Sequence, residues 1–372
     1  MRILAAVALA FFVAEAGGQM VHRLWTGRWF AAEYLDSRAR IREADVLFEP
    51  HPYLVAQLRQ GARLERGGKV ISTTSFRTRT IPAAPAGTRP FRIACLGGST
   101  TFGTGVGDAS AWPALLQGRL GDGFEVWNFG LPGYSTVEGI IQMALLVPEQ
   151  KPDVIVFYEG WNDIRAYHDP RLTPDFQTLG VAQQAHLLPV VEERSNSVLE
   201  AAGRVSVVAH TLHDLADWLG WSGGHGPVAR GRAVPPSVEP DPAVDRLYLR
   251  NLVTLKVLAR RFGASSIFVP QVLNDAKFVE RPPGAARGWT PRIQDVAMPA
   301  LMKRFGEVMG RACETGESDC QFADEVLRVR WSPEDFVDDG HFSRTGGEKL
   351  VGVLDPLVRR AESLRRAQSP PP

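Results

Sequence analysis

Cysteine is scarce, with only Cys95, Cys313 and Cys320 in 372 residues. That excludes a disulfide-built miniature scaffold, and no cysteine–histidine spacing matches a zinc site, so no metal is expected. Net charge is nearly absent as well. The 42 basic and 41 acidic residues leave a formal charge of +1, so no bulk field favours nucleic acid or an acidic partner. No internal repeat is visible, which argues against a solenoid or propeller. Long apolar runs are lacking too. The N-terminal one, Ile3–Ala14, falls short of the about 20 residues that span a membrane comfortably. What remains is a chain of ordinary composition, long enough to bury a large core as one big domain or two.

Met1-Arg2, the apolar run and Ala14-Glu15-Ala16 have the layout of a secretory signal: charge, short apolar core, small residues. Residues 1–16 are read as a signal peptide or as an uncleaved signal anchor, in which Glu15 has to be accommodated at a cost. A soluble core helix is the alternative. Export implies a periplasmic or extracytoplasmic location, with membrane attachment through the N-terminus left open. Cys313 and Cys320 flank the polar stretch ETGESD. They close it as a disulfide if the protein is exported, or stay free thiols.

Residues 17–88 are expected to form an N-terminal extension. Arg23–Arg42 is a helix candidate, FEPHPYL (48–54) is extended, KVISTTSFRTRTI (69–81) is a strand or hairpin, and PAAPAGTRP (82–90) is a linker. His51 has no serine or carboxylate partner in its surroundings and receives no catalytic role.

Phe91–Gly105, FRIACLGGSTTFGTG, organises the rest. An apolar run breaks into Gly97-Gly98-Ser99-Thr100, which predicts a buried strand ending in a sharp turn. A serine at that tip stands at the carboxyl end of the strand, where ligands sit in open α/β sheets. Strand and helix patterns then alternate. Ala111–Leu120 is a helix, Phe124–Asn128 a strand, and Ser135–Val147 a helix opened by a Ser135/Glu138 capping box. VIVFY (154–158) is a strand apolar on both faces. Asn196–Leu219 has helical spacing, and 220–242 has the composition of a linker or lid. Asp245–Phe262 is a helix ending at Gly263, Ile267–Leu273 a strand with Pro270 at an edge or bulge, and Val296–Ala312 a helix. Cys320–Val326 is a short strand and Arg344–Arg365 a closing helix, with a disordered tail over 367–372. This alternation predicts a parallel sheet.

Four blocks fall at strand ends or helix starts: GGST (97–100), NFGLPG (128–133), GWND (160–163) and DDGH (338–341). In this order they resemble the SGNH hydrolases of the GDSL esterase/lipase superfamily. The resemblance implies a three-layer α/β/α sandwich with a parallel flavodoxin-like sheet of about five strands, here over residues 89–366 with an insertion at about 164–244. It also implies a catalytic triad. Ser99 is the nucleophile, His341 the base that takes its proton, and Asp338 the carboxylate that fixes the imidazole, with Asp339 as rival. Three donors match the oxyanion hole: the N–H of Ser99, the N–H of Gly133 (with Gly130 as rival) and the amide of Asn162. The first block reads GGST where many relatives have GDS, so Gly98 stands at a position often held by Asp.

Trp161 is the candidate substrate-binding aromatic, Trp127 and Tyr134 are alternatives with core packing favoured for Trp127, and His168 is read as a solvated loop residue. The implied activity is hydrolysis of carboxylic esters through an acyl-enzyme, without cofactor, on an acylated small molecule or saccharide such as an O-acetylated cell-surface glycan. Two alternatives stand. One is a polysaccharide O-acyltransferase with the same triad, and the other a catalytically idle carbohydrate-binding or assembly protein.

Overall fold

The structure, a computed structural model, describes residues 2–27, 29–32, 46–82, 90–170, 172–175, 206–218, 235–282, 284–315 and 319–368. Contacts divide the chain into two compact units, 1–46 with 183–234 and 47–182 with 235–372. The linker over 83–89, the residues 176–205 and 219–234 of the expected insertion, the centre of the ETGESD stretch (316–318) and the tail from 369 lie outside the described residues.

In the smaller unit a helix runs over Arg2–Thr26 and packs against a second, Val207–Trp218. Glu15 caps the second helix: its carboxylate accepts hydrogen bonds from the Ser206 hydroxyl (2.6 Å) and the N–H groups of Val207 and Val208 (both 3.1 Å). A negative charge suits the free N–H groups of a helix start. Among the described residues no helix is long and apolar enough to cross a membrane.

The larger unit opens with two antiparallel ribbons. β1 (Phe48–His51) pairs with β2 (Val55–Leu58), and β3 (Arg63–Arg66) with β4 (Lys69–Ser72). The main sheet follows, with β5 (Phe91–Gly97), β6 (Phe124–Asn128), β7 (Val154–Tyr158), β8 (Ser265–Val269) and β9 (Cys320–Phe322). Its order is β6-β5-β7-β8-β9 and every pairing is parallel. This is the expected flavodoxin-like arrangement. The chain steps to one side of β5 for β6 and to the other for β7, so β5 is the topological switch point.

Successive residues of the central strands feed two separate cores. Ala94, Leu96, Ile155 and Phe157 face the helices Thr136–Leu145, Pro242–Arg261 and Met298–Glu314. Ile93, Cys95, Val154 and Val156 face the helices Trp112–Leu120 and Arg344–Gln368. Both faces are covered, which is why these strands are apolar at every position. Local signals act as written. Ser135 and Glu138 form their capping box, and Asp241 caps the helix that starts at Pro242.

Two boundaries differ from expectation, those of β8 and β9. β8 stops at Val269, and Pro270 ends an interior strand between β7 and β9 instead of marking an edge or bulge, because proline has no N–H for a ladder. β9 covers only Cys320–Phe322 before a 3₁₀ turn at Asp324–Arg328. Within 69–81, β4 pairs backward with β3, and Arg79 forms isolated bridges to Thr73 and Asn128. The thiols of Cys313 and Cys320 are joined as a disulfide, with Cα atoms 5.3 Å apart, while Cys95 is buried and free.

Residues 47–82, within the expected N-terminal extension, belong to the larger unit. The β1–β2 ribbon packs Leu54 and Leu58 against Phe102, Leu131 and Tyr134. Arg79 is fully buried. Its guanidinium pairs with Asp108 (2.9 Å) and donates to the carbonyl oxygens of Phe102, Gly103 (2.7 Å) and Val106 (2.7 Å). A planar fork with five donors suits this cluster of acceptors. Replacing it with Arg79→Met strands a buried carboxylate and three carbonyls, and is expected to cost about 3–5 kcal/mol in urea unfolding followed by tryptophan fluorescence. A loss below about 1 kcal/mol would show the cluster to be dispensable.

Candidate active site

β5 delivers Ser99 to the carboxyl edge of the sheet. The strand ends at Gly97, and Ser99 opens a one-turn helix, Ser99–Phe102, closed by Gly103. Ser99 is half-buried. His341 arrives from beyond β9, in a loop bracketed by a Phe336–Phe342 bridge and by the Val337 N–H on the His341 carbonyl (2.8 Å). The Asn274 N–H donates to the Asp339 carbonyl (2.9 Å) and its side-chain amide to the Asp338 carbonyl (3.3 Å). Two separate contacts thus tie the loop to the segment after β8.

Within this frame Ser99, His341 and Asp338 form a continuous hydrogen-bonded chain. His341 Nε2 lies 2.6 Å from Ser99 Oγ, and His341 Nδ1 lies 2.7 Å from Asp338 Oδ2. An ionised carboxylate can only accept, so Nδ1 carries the proton and Nε2 presents a lone pair to the serine hydroxyl. Asp338 Oδ1 accepts the N–H groups of His341 (2.9 Å) and Gly340 (3.1 Å). Burial acts to raise the Asp338 carboxyl, but hydrogen bonds and charge from His341, helped by the backbone N–H groups, hold it down at about 2. The rival Asp339 turns away into an ion pair with Arg287.

The second and third blocks converge on the same edge. Leu131-Pro132-Gly133-Tyr134 is a turn closed by the Tyr134 N–H on the Leu131 carbonyl (3.1 Å), with Gly133 at φ +85°. This left-handed angle is the one glycine adopts freely. The N–H of Gly130, the rival donor, is committed to Asn128 Oδ1 (2.9 Å). Among the described residues the Gly133 N–H has no acceptor. Asn162 is buried and its Nδ2 donates to the Tyr134 carbonyl (2.7 Å). Nδ2 also lies 2.5 Å from where a Cβ on Gly98 would stand, against the residue that precedes Ser99.

Trp161 is half-buried, with its ring edge-on to Phe278 (centroids 5.8 Å apart). Tyr134 is buried and donates its hydroxyl to the Ala56 carbonyl, so its ring is a packing element. Trp127 meets Phe76 edge-on and packs on the core. His168 sits at φ +56° with Nε2 2.9 Å from the Glu239 carbonyl.

Several residues at the site carry no role in the four-block reading. Gln271 accepts the Trp161 N–H (2.8 Å) and reaches Thr100 Oγ1 (3.4 Å). Asn274 and Arg287 hold the histidine loop. Glu159 and Asp163 are buried carboxyls flanking Asn162. Burial, with Asp163 charge added, pushes Glu159 up to about 8, against N–H bonds from Asn162, Gly160 and Gly98. Burial pushes Asp163 up to about 7, against hydrogen bonds from Thr136, with the Glu138 charge adding to the rise. Asp163 stands inside the GWND block, and Glu159 is a carboxylate placed directly after an otherwise unbroken apolar strand.

Residues 95–349 match the GDSL-like lipase/acylhydrolase family. The chain belongs to that family, and its parallel sheet with covered faces is the fold of the SGNH hydrolases. Among solved structures it is similar to TesA (16% identity, 73% of this chain and 99% of that chain, TM-score 0.41). It is also similar to a lipase/acylhydrolase from Enterococcus faecalis (15%, 72% and 95%, 0.41). A third likeness is to an acetyl xylan esterase from Geobacillus stearothermophilus (17%, 73% and 94%, 0.39). Likenesses of this size fix neither substrate nor acceptor. No curated protein matches the sequence.

The raised carboxyls set a pH dependence of stability. The folded protein keeps Glu159 and Asp163 protonated up to about 8 and about 7, whereas the unfolded chain releases those protons from about pH 4 upward. The folded state therefore binds more protons across this window, and stability falls as pH rises through it. Glu159→Gln removes one of the two titrations. Its thermal midpoint should decline less between pH 5 and pH 8 than that of the native protein, and an unchanged slope would refute the assignment.

Proposed function

We propose that the protein is a serine esterase that cleaves carboxylic esters through an acyl-enzyme on Ser99. The observation that carries this is the linear chain from Asp338 Oδ2 to His341 Nδ1 (2.7 Å) and from His341 Nε2 to Ser99 Oγ (2.6 Å). A serine hydroxyl becomes a competent nucleophile only when a base takes its proton as it attacks. His341 is that base. Asp338, held ionised, keeps the ring in the required tautomer and stabilises the imidazolium that forms.

Ser99 Oγ adds to the ester carbonyl and its proton passes to Nε2. The carbonyl oxygen becomes an oxyanion, met by the N–H groups of Ser99 and Gly133 and by the amide of Asn162. Collapse breaks the ester C–O bond, and the imidazolium returns its proton to the departing alkoxide. Water then repeats the sequence, with Nε2 taking its proton, and releases the acid and free Ser99. The side chains of His341 and Asp338 are 25% and 48% exposed. Water access at the base favours hydrolysis over transfer to a sugar hydroxyl.

The substrate we propose is an O-acylated saccharide outside the cytoplasm, with Trp161 beside the acyl or sugar group. The Cys313–Cys320 disulfide supports an oxidising compartment. Attachment through the N-terminal helix is supported by exposed Phe11, Phe12, Leu24 and Trp25 on it.

A fluorophosphonate probe should label Ser99 and no other residue. Ser99→Ala and His341→Ala should each lower p-nitrophenyl acetate hydrolysis by about three orders of magnitude or more. Asn162→Ala should lower it by about 10²–10³. Native protein that neither labels nor turns over such esters would end the esterase reading.

A further inference from the structure

Glu159 directly follows β7 and has a side chain that the expected chemistry leaves unused. The residue is 1% exposed. Its Oε1 accepts the N–H groups of Gly160 (3.0 Å) and Asn162 (2.8 Å), and the carboxyl also takes a hydrogen bond from the Gly98 backbone. Glu159 Oε2 occupies the space a side chain on residue 98 would fill: a Cβ on Gly98 would meet it at 2.2 Å. Gly98 has φ −87°, outside the left-handed region, and the crowding at its Cβ position is what excludes a side chain. The Glu159 carbonyl accepts the Tyr248 hydroxyl (2.7 Å), which holds the residue from behind.

One side chain therefore touches the backbone just before the nucleophile and the backbone of the asparagine donor. Asn162 Nδ2 in turn holds the carbonyl of Tyr134 (2.7 Å), the neighbour of Gly133. The blocks bearing Ser99, Asn162 and Gly133 are joined through this group.

We propose that Glu159 is a positioning residue of the oxyanion site, clamping the Gly98 turn to the Asn162 block so that their donors converge on one point. The proposal rests on the esterase reading for its catalytic consequence. Glu159 does not touch substrate. It acts by accepting N–H groups and by filling the void at Gly98, so an uncharged acceptor of the same shape serves equally. A misaligned oxyanion site weakens transition-state binding more than ground-state binding.

The test compares Glu159→Met, which has similar bulk but no oxygen acceptor, with Glu159→Gln, which keeps one. For acetyl esters, Glu159→Met is expected to lower kcat by about 10–100-fold, as loss of an outer support does, with KM within about twofold. Affinity for a boronate that mimics the tetrahedral adduct should fall in step with kcat. Glu159→Gln should recover kcat to within about threefold of native.

Amide hydrogen exchange of the full chain gives a readout free of activity. The N–H groups of Gly98 and Asn162 should lose protection in the Met variant and keep it in the Gln variant. Unchanged kcat in Glu159→Met, an equal loss in Glu159→Gln, or unchanged protection at both amides would overturn the proposal. A native protein inactive on all esters would remove the esterase reading alone, and amide protection would still decide the clamp.

Discussion

The parallel pairing of β5 with β7 is the constraint on which the site depends. It sets Gly97 opposite Tyr158, and the Thr101 hydroxyl locks the strand ends by donating to the Tyr158 carbonyl (3.2 Å). From that register Ser99 and Asn162 follow without further adjustment, because each lies within a few residues of its strand end. His341 is different. It follows β9, two strands away from β7, and its loop has to be drawn back over the sheet edge. Asn274, Arg287 and the Phe336–Phe342 bridge do this. The two halves of the chemistry thus rest on different supports, one on backbone ladder and one on side-chain ties.

The acidic groups divide along the same line. Asp338 is half exposed and surrounded by donors, and stays ionised. Glu138, Glu159 and Asp163 are buried below the Asn162 block, and each is pushed upward by burial. A carboxylate is useful beside an imidazole that gains positive charge. Beside a forming oxyanion it is harmful, and burial keeps those groups closer to neutral.

The fold was legible where patterning is strong. VIVFY is apolar at every position because helices cover both faces, and the Ser135/Glu138 box is a local device that needs no tertiary context. The serine, asparagine and histidine blocks were legible because each is a short contiguous string at an element end. The Asp338 and Asp339 rivalry could not be resolved from sequence, since a distant residue, Arg287, takes the second carboxylate. Gly130 and Gly133 look alike in a string and are separated only by the Asn128 side chain. The β8 boundary differs because Pro270 reads in sequence as an edge or bulge, whereas in the fold it ends the strand. Gln271 and Asn274 are not legible because their partners, Trp161 and the Asp338–Asp339 carbonyls, lie in other segments, and no fixed spacing announces such a contact.

The buried guanidinium of Arg79 also has a bearing on where the support of the Ser99 turn begins. The family match starts at residue 95, yet Arg79 sits upstream and ties down the carbonyls of Phe102 and Gly103, the rear of the turn that carries Ser99. A fragment trimmed to the matched residues would expose that turn's back to solvent and leave Asp108 without its cation. The footing of the Ser99 turn is therefore supplied in part by a residue that lies ahead of the family-matched stretch.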